Sequence, residues 1–249
     1  MAVFALIGGK RNNVKITNRI EEHLVSLTKK ENPTILFCPF AQIRDIYRSI
    51  NRFKSLMANF KCKIVNMTFE NLTDFDLLLS NCDIFYVDGG WCDDLVSFFK
   101  KNHLDVILSK HLNDNIIFAG SSAGAMLYTR ASMGDRYVYY DNFHNYNYKM
   151  VDCLNILNIT ICHHYQNEDL ILYNDEVKKY DCDSFGIEED TMLVITNNIT
   201  DDNNFSYNRF YVIKEEGCLG IYQFDKSLGY QMIPLYEGVV YEADSSFRS

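Results

Sequence analysis

The sequence predicts an α/β fold built on a mostly parallel central sheet with helices on both faces. Short apolar runs alternate with amphipathic stretches through the first two-thirds of the 249-residue chain. The runs are continuously apolar rather than alternating, as strands covered on both faces must be. Two of them end on small turn residues, Asp88-Gly89-Gly90 and Gly120-Ser121-Ser122, at the carboxyl edge where ligands gather in such sheets.

Each element follows from its spacing. "AVFALIGG" (2–9) reads as the first strand, followed by a helix around Ile20, Leu24 and Leu27. "TILFCPFA" (34–41) is the second, with Ile46, Ile50, Phe53 and Leu56 marking one face of the next helix. "KIVNMTF" (63–69), "DIFYVDGG" (83–90) and "NIIFAGSS" (115–122) continue the series. Between the last two, Leu95, Phe98, Phe99, Leu104, Ile107 and Leu108 keep helical spacing. A stretch dense in Tyr and Asn (136–150) interrupts the rhythm and suits either a lid or a packed surface excursion. "ILNITICHHY" (156–165) then resumes it as a strand, before a helical "NEDLILYNDEVKKY". From residue 183 the tail reads as strands and turns that extend the sheet or cover an edge. With no repeat and no Pro-, Gly- or Ser-rich linker, residues 1–249 are expected to form one domain.

Composition narrows the function. The formal net charge is −9 and the cations are scattered, which disfavours a nucleic-acid partner. No apolar run reaches membrane-spanning length and the amino terminus lacks the pattern of a secretion signal, so a cytoplasmic protein is expected. Eight cysteines at irregular spacing, without a C-x-x-C pair, read as buried free thiols rather than disulfides or a zinc site.

The chemistry concentrates at Gly120-Ser121-Ser122-Ala123-Gly124, a G-x-S-x-G run between a strand and helix formers. That context suits a nucleophile elbow, with Ser122 at the centre of a strained turn and small residues on either side leaving it room. The Ala123 N–H is one candidate oxyanion donor, and the glycines of Asp88-Gly89-Gly90-Trp91 offer a second. A serine needs a base. His23, His103 and His111 lie in helical patterns and His144 in the Tyr/Asn stretch. His163 and His164 end a strand, and alternation lets at most one of them reach the cleft. An orienting acid is required as well; Asp135 and Asp141 both lie between the serine and the histidines.

These segments resemble the peptidase E and cyanophycinase family of serine peptidases. "FAGSSAGAMLY", "DIFYVDGGWCDDLVSFF" and "NITICHHYQNED" carry the likeness, and "ALIGG", "ILFCPFA" and "GIEEDTML" extend it over nearly the whole chain. The resemblance implies a three-layer α/β sandwich like that of class I glutamine amidotransferases. It implies Ser122 as nucleophile, His164 as base, Gly90 and Ala123 as oxyanion donors, and Asp135 as the acid with Asp141 in reserve. It also implies a small peptide as substrate, with no metal or organic cofactor; a homodimer is left open. Trp91 replaces the family's asparagine and His163 its proline. Both departures keep two alternatives in view, a hydrolase of another amide or ester and a catalytically silent binding protein. Arg130 and Arg136 are the candidate cations for a substrate carboxylate.

Overall fold

The structure is a computed structural model that describes residues 2–10, 18–134, 149–165, 170–199, 205–218, 220–226 and 228–242. The apolar runs form strands β1 (Val3–Ile7), β2 (Thr34–Cys38), β3 (Lys63–Asn66), β4 (Ile84–Val87) and β5 (Ile117–Ser121). These five are parallel, in the order β1-β5-β4-β2-β3. The sheet continues past β1 through strands β10 (Thr191–Ile199), β11 (Phe205–Lys214) and β14 (Val240–Glu242), all paired antiparallel. The expected α/β fold with helices on both faces is therefore present, and the tail does extend the sheet.

One face of this sheet is covered by α1 (Arg19–Ser26) and α2 (Ile46–Leu56). Ile20, Leu24, Ile50 and Phe53 pack there on Ala5, Ile35, Phe37 and Tyr86, with Phe37 and Phe53 stacked at 4.1 Å. The α2 helix starts where the Asp45 carboxylate accepts from the Arg48 N–H at 3.1 Å, which satisfies one of the open donors of the first turn. The opposite face carries Phe4, Leu6, Phe85, Val87 and Phe118, packed on α3 (Phe75–Ser80), α4 (Cys92–Lys101), α5 (Leu104–Lys110) and α6 (Ala123–Met126). The apolar spacing from Leu95 to Leu108 thus divides into two helices. The break falls at Asn102-His103, where His103 takes the left-handed conformation at φ 54°.

A second sheet shares that face, in the order β13 (Gln231–Leu235), β12 (Ile221–Asp225), β9 (Asp183–Ile187), β8 (Leu157–His163), β6 (Thr129–Gly134), β7 (Lys149–Asp152). Ile159 and Ile161 of β8 join the core of the first sheet together with Phe185 and Ile187 of β9. On its outer side Tyr173 and Val177 of α7 (Leu170–Val177) pack on Cys162, Tyr165 and Phe224. The helix expected after the elbow is only four residues long. It ends because the carbonyls of Leu127, Tyr128 and Thr129 are taken by the N–H groups of Leu154, Ile156 and Asn155, and the chain enters β6. All eight cysteines are free thiols and seven are buried, in agreement with the sequence reading.

Candidate active site

The carboxyl end of β1 is the point about which the site assembles. On one side β5 runs parallel, with Ile7 opposite Ser121, so the turn after β5 lies beside the end of β1 and Ser122 N–H donates to the Ile7 carbonyl at 2.9 Å. On the other side β10 begins, with Ile7 opposite Met192. From the second sheet, the end of β8 reaches the same place: His164 N–H donates to the Gly8 carbonyl at 2.9 Å.

Ser122 sits at φ 52° and ψ −118°, a sparsely populated conformation for a residue with a side chain and one that stores strain. Close packing enforces it. A Cβ on Gly120 would lie 2.2 Å from Gly124 backbone atoms, and one on Gly124 would lie 2.1 Å from the Val87 carbonyl oxygen. Hence the glycines two before and two after the serine let strand, turn and helix touch. Ser121 faces the α1/α2 side, where its hydroxyl bonds the buried Tyr86. Burial first, and the nearby Asp88 carboxylate second, push that phenol's pKa up.

The structure brings Ser122 and His164 together: the serine hydroxyl and Nε2 are 3.1 Å apart. The two histidines part at the end of β8. His163, on β8, is buried, and its ring meets that of His164 edge-on at 4.7 Å. His164, one residue beyond the strand at φ 50°, turns toward the serine with its side chain 33% exposed. Its ring lies against Gly9, where a Cβ would come within 2.2 Å of Cε1; the second glycine of "ALIGG" is the space the imidazole occupies.

The carboxylate that meets the ring's far side among the described residues is a glutamate. Asp135 and Asp141 lie outside the described residues. The far nitrogen of the ring, Nδ1, is instead 2.7 Å from Oε1 of Glu189. Glu189 stands in the turn between β9 and β10. That turn is held to β1: the Asp190 N–H donates to the Gly9 carbonyl at 2.9 Å and the Gly8 N–H to the Thr191 carbonyl at 3.1 Å. Nδ1 is thus in contact with Glu189, and the three side chains in contact run Ser, His, Glu along the chain. Its signal was present in "GIEEDTML", where three adjacent acids sit between two strands, but an acid beyond the histidine is invisible to a search confined to the serine–histidine interval.

Ala123 follows the serine directly, and Gly89, the neighbour of Gly90, lies against its side chain, where a Cβ would come 3.7 Å from Ser122 Oγ. Ala123 opens α6 directly after Ser122, so its N–H is one of the unpaired donors at a helix start. Neither it nor the Gly90 N–H donates to a protein acceptor among the described residues. Beyond Gly90 a cavity of about 250 Å³ is lined by Trp91, Asp93, Met126, Lys149, Met150 and others. Trp91 thus helps wall the space next to the site. Arg130 does not supply the site's cation. Its guanidinium donates to the Tyr180 carbonyl at 2.8 Å and approaches Asn158, near the start of β8 rather than its catalytic end. Arg136 lies outside the described residues. Among those described, no helix is long and apolar enough to cross a membrane.

Known proteins share this architecture. A peptidase from an acI-B1 Actinobacterium superposes with a TM-score of 0.66 over 97% of each chain at 17% identity. A putative peptidase E protein from Listeria monocytogenes EGD-e superposes with a TM-score of 0.59 over 87% of this chain and all of that one, at 15% identity. At the sequence level, the uncharacterized peptidase YgaJ of Bacillus subtilis (strain 168) is 26% identical over 135 residues. That match spans 53% of this chain and 58% of the relative's length. The profile of Peptidase family S51 matches residues 3–201, from the first residue of β1 to beyond the turn that carries Glu189, and the chain belongs to that family.

Proposed function

We propose that the protein is a serine peptidase that cleaves small peptides or isopeptides through an acyl-enzyme. The observation that carries the reading is the unbroken relay Ser122 Oγ, His164 Nε2, His164 Nδ1, Glu189 Oε1, with contacts of 3.1 and 2.7 Å. In it, Nε2 takes the hydroxyl proton as Oγ bonds to the substrate carbonyl carbon, and the carbonyl electrons move onto oxygen. Glu189 accepts from Nδ1–H, which fixes the tautomer that leaves Nε2 basic and stabilises the imidazolium that forms. The Gly90 and Ala123 amides hold the oxyanion. Collapse of the tetrahedral adduct expels the amine, which receives its proton from Nε2. Water, activated by the same imidazole, then releases the acid and restores Ser122.

The test is direct. Incubation with a fluorophosphonate, followed by peptide mass spectrometry, is expected to place one phosphonyl group on Ser122, and a dipeptide panel beside aryl esters is expected to reveal peptide turnover that Ser122→Ala abolishes. Folded protein whose Ser122 stays unmodified would overturn the reading. Ligand-induced thermal stabilisation without turnover of any panel member would favour the silent binding protein.

A further inference from the structure

We infer that Gln42, which lies outside the relay, is a positioning residue that aims the Gly90 amide at the oxyanion; the inference rests on the proposed serine mechanism. Gly89 and Gly90 are joined by a peptide unit flanked by glycine on both sides, and Gly90 has φ +157°. Such a unit has no side chain to fix its direction. Turned by half a rotation, it would present a carbonyl oxygen to the developing negative charge instead of an N–H.

Two contacts prevent that. Gln42 Nε2 donates to the Gly89 carbonyl oxygen at 3.0 Å. Because a trans peptide is planar, its C=O and N–H point in opposite directions, so pinning the Gly89 carbonyl on Gln42 sends the Gly90 N–H the other way. On the other side of Gly90, the Trp91 N–H donates to the Ala41 carbonyl at 3.0 Å. Both anchors belong to the single 3₁₀ turn Phe40–Gln42. That turn is rigid in its own right: the Gln42 N–H donates to Pro39 and its carbonyl accepts from Asp45, each at 2.9 Å.

The remaining amides of the segment are spoken for. Asp88 N–H donates to the Cys38 carbonyl at 3.0 Å. Gly89 N–H donates to Oδ1 of the buried Asp88 at 2.8 Å, and that carboxylate is itself held by Ser49 Oγ and, at 2.8 and 2.7 Å, by Arg52 Nη2. Only the Gly90 N–H is left without a protein acceptor among the described residues.

The experiment compares two reagents on wild type, Gln42→Ala and Gln42→Glu. A fluorophosphonate bonds Ser122 Oγ to phosphorus with loss of fluoride and builds charge on the phosphoryl oxygen, so its rate depends on the oxyanion donors. Iodoacetamide alkylates the His164 ring with loss of iodide and needs no oxyanion donor. Removing one such donor outright costs about 100- to 1,000-fold. Releasing its anchor is expected to slow Ser122 labelling about 10- to 100-fold in Gln42→Ala, and further in Gln42→Glu, whose carboxylate repels the Gly89 carbonyl. His164 alkylation and the melting temperature are expected to stay at wild-type values. Wild-type labelling rates in both variants would overturn the inference, as would an equal loss in both reactions. Wild-type protein that never labels at Ser122 would instead sink the serine mechanism itself, and Gln42's role with it.

Discussion

Glu189 shows what a residue-scale reading of the sequence captures and what it misses. Ser122 was legible because a nucleophile elbow is a local device: strand, bend and helix lie within a few residues, and the glycines that permit the bend are written beside the serine. His164 was half legible, since the strand end marks the pair His163-His164 without saying which of the two turns to the serine. The contact of Glu189 with the imidazole was not legible, because its place is set by three-dimensional pairing: β9 lies beside β8, with His163 opposite Ile187, and the chain then turns at Glu189 into the other sheet. If Glu189 orients the imidazole, Glu189→Gln removes the anionic acceptor while keeping the shape. Steady-state kinetics are expected to show kcat lowered by about 10³- to 10⁴-fold, with KM little changed. Asp135→Asn, by contrast, is expected to stay within a few-fold of wild type.

Among the elements, β1 matters more than its sequence suggests. It carries none of the relay's side chains, yet its last carbonyl, Ile7, and the two just beyond it, Gly8 and Gly9, accept from Ser122, His164 and Asp190 respectively. The strand was readable as an apolar run. Its role as a common backbone anchor was not, because main-chain hydrogen bonds leave no residue-type signature. The paired glycines leave one: Gly9 adopts φ 129° and leaves room for the imidazole. Gly9→Ala is therefore expected to push the His164 ring off Ser122. Displacement by about 1 Å costs on the order of 100-fold in rate, so kcat/KM should fall by at least that much. Circular dichroism is expected to be unchanged, because the altered group stands at the end of the strand rather than within it. Helix α6 is set by pairing too. Its residues are good helix formers, but pairing of residues 127–129 with 154–157 ends it after four residues.

At the scale of the whole molecule, the five parallel strands were legible because burial on both faces makes them continuously apolar. The second sheet was not, because it interleaves strands from positions 129 to 235 and strand pairing over such separations is not encoded in any local period. Packing between the sheets also sets the state of the thiols. Burial pushes Cys38 and Cys82 up to about 12 and Cys182 to about 11. At pH 8 a thiol at 12 is ionised to about one part in 10⁴, and the thiolate is the reactive form. A chromogenic disulfide reagent at pH 8 is thus expected to titrate at most the half-buried Cys62 in the native protein, and all eight thiols in guanidinium.

The gathering of three distant segments at the end of β1 also governs when activity can first arise during synthesis. A nascent chain that has released Ser122 and His164 from the ribosome still lacks Glu189, and the turn holding that carboxylate is fastened only once β10 has paired with a strand made almost two hundred residues earlier. The relay is therefore assembled only after β10 has been made and has paired with β1.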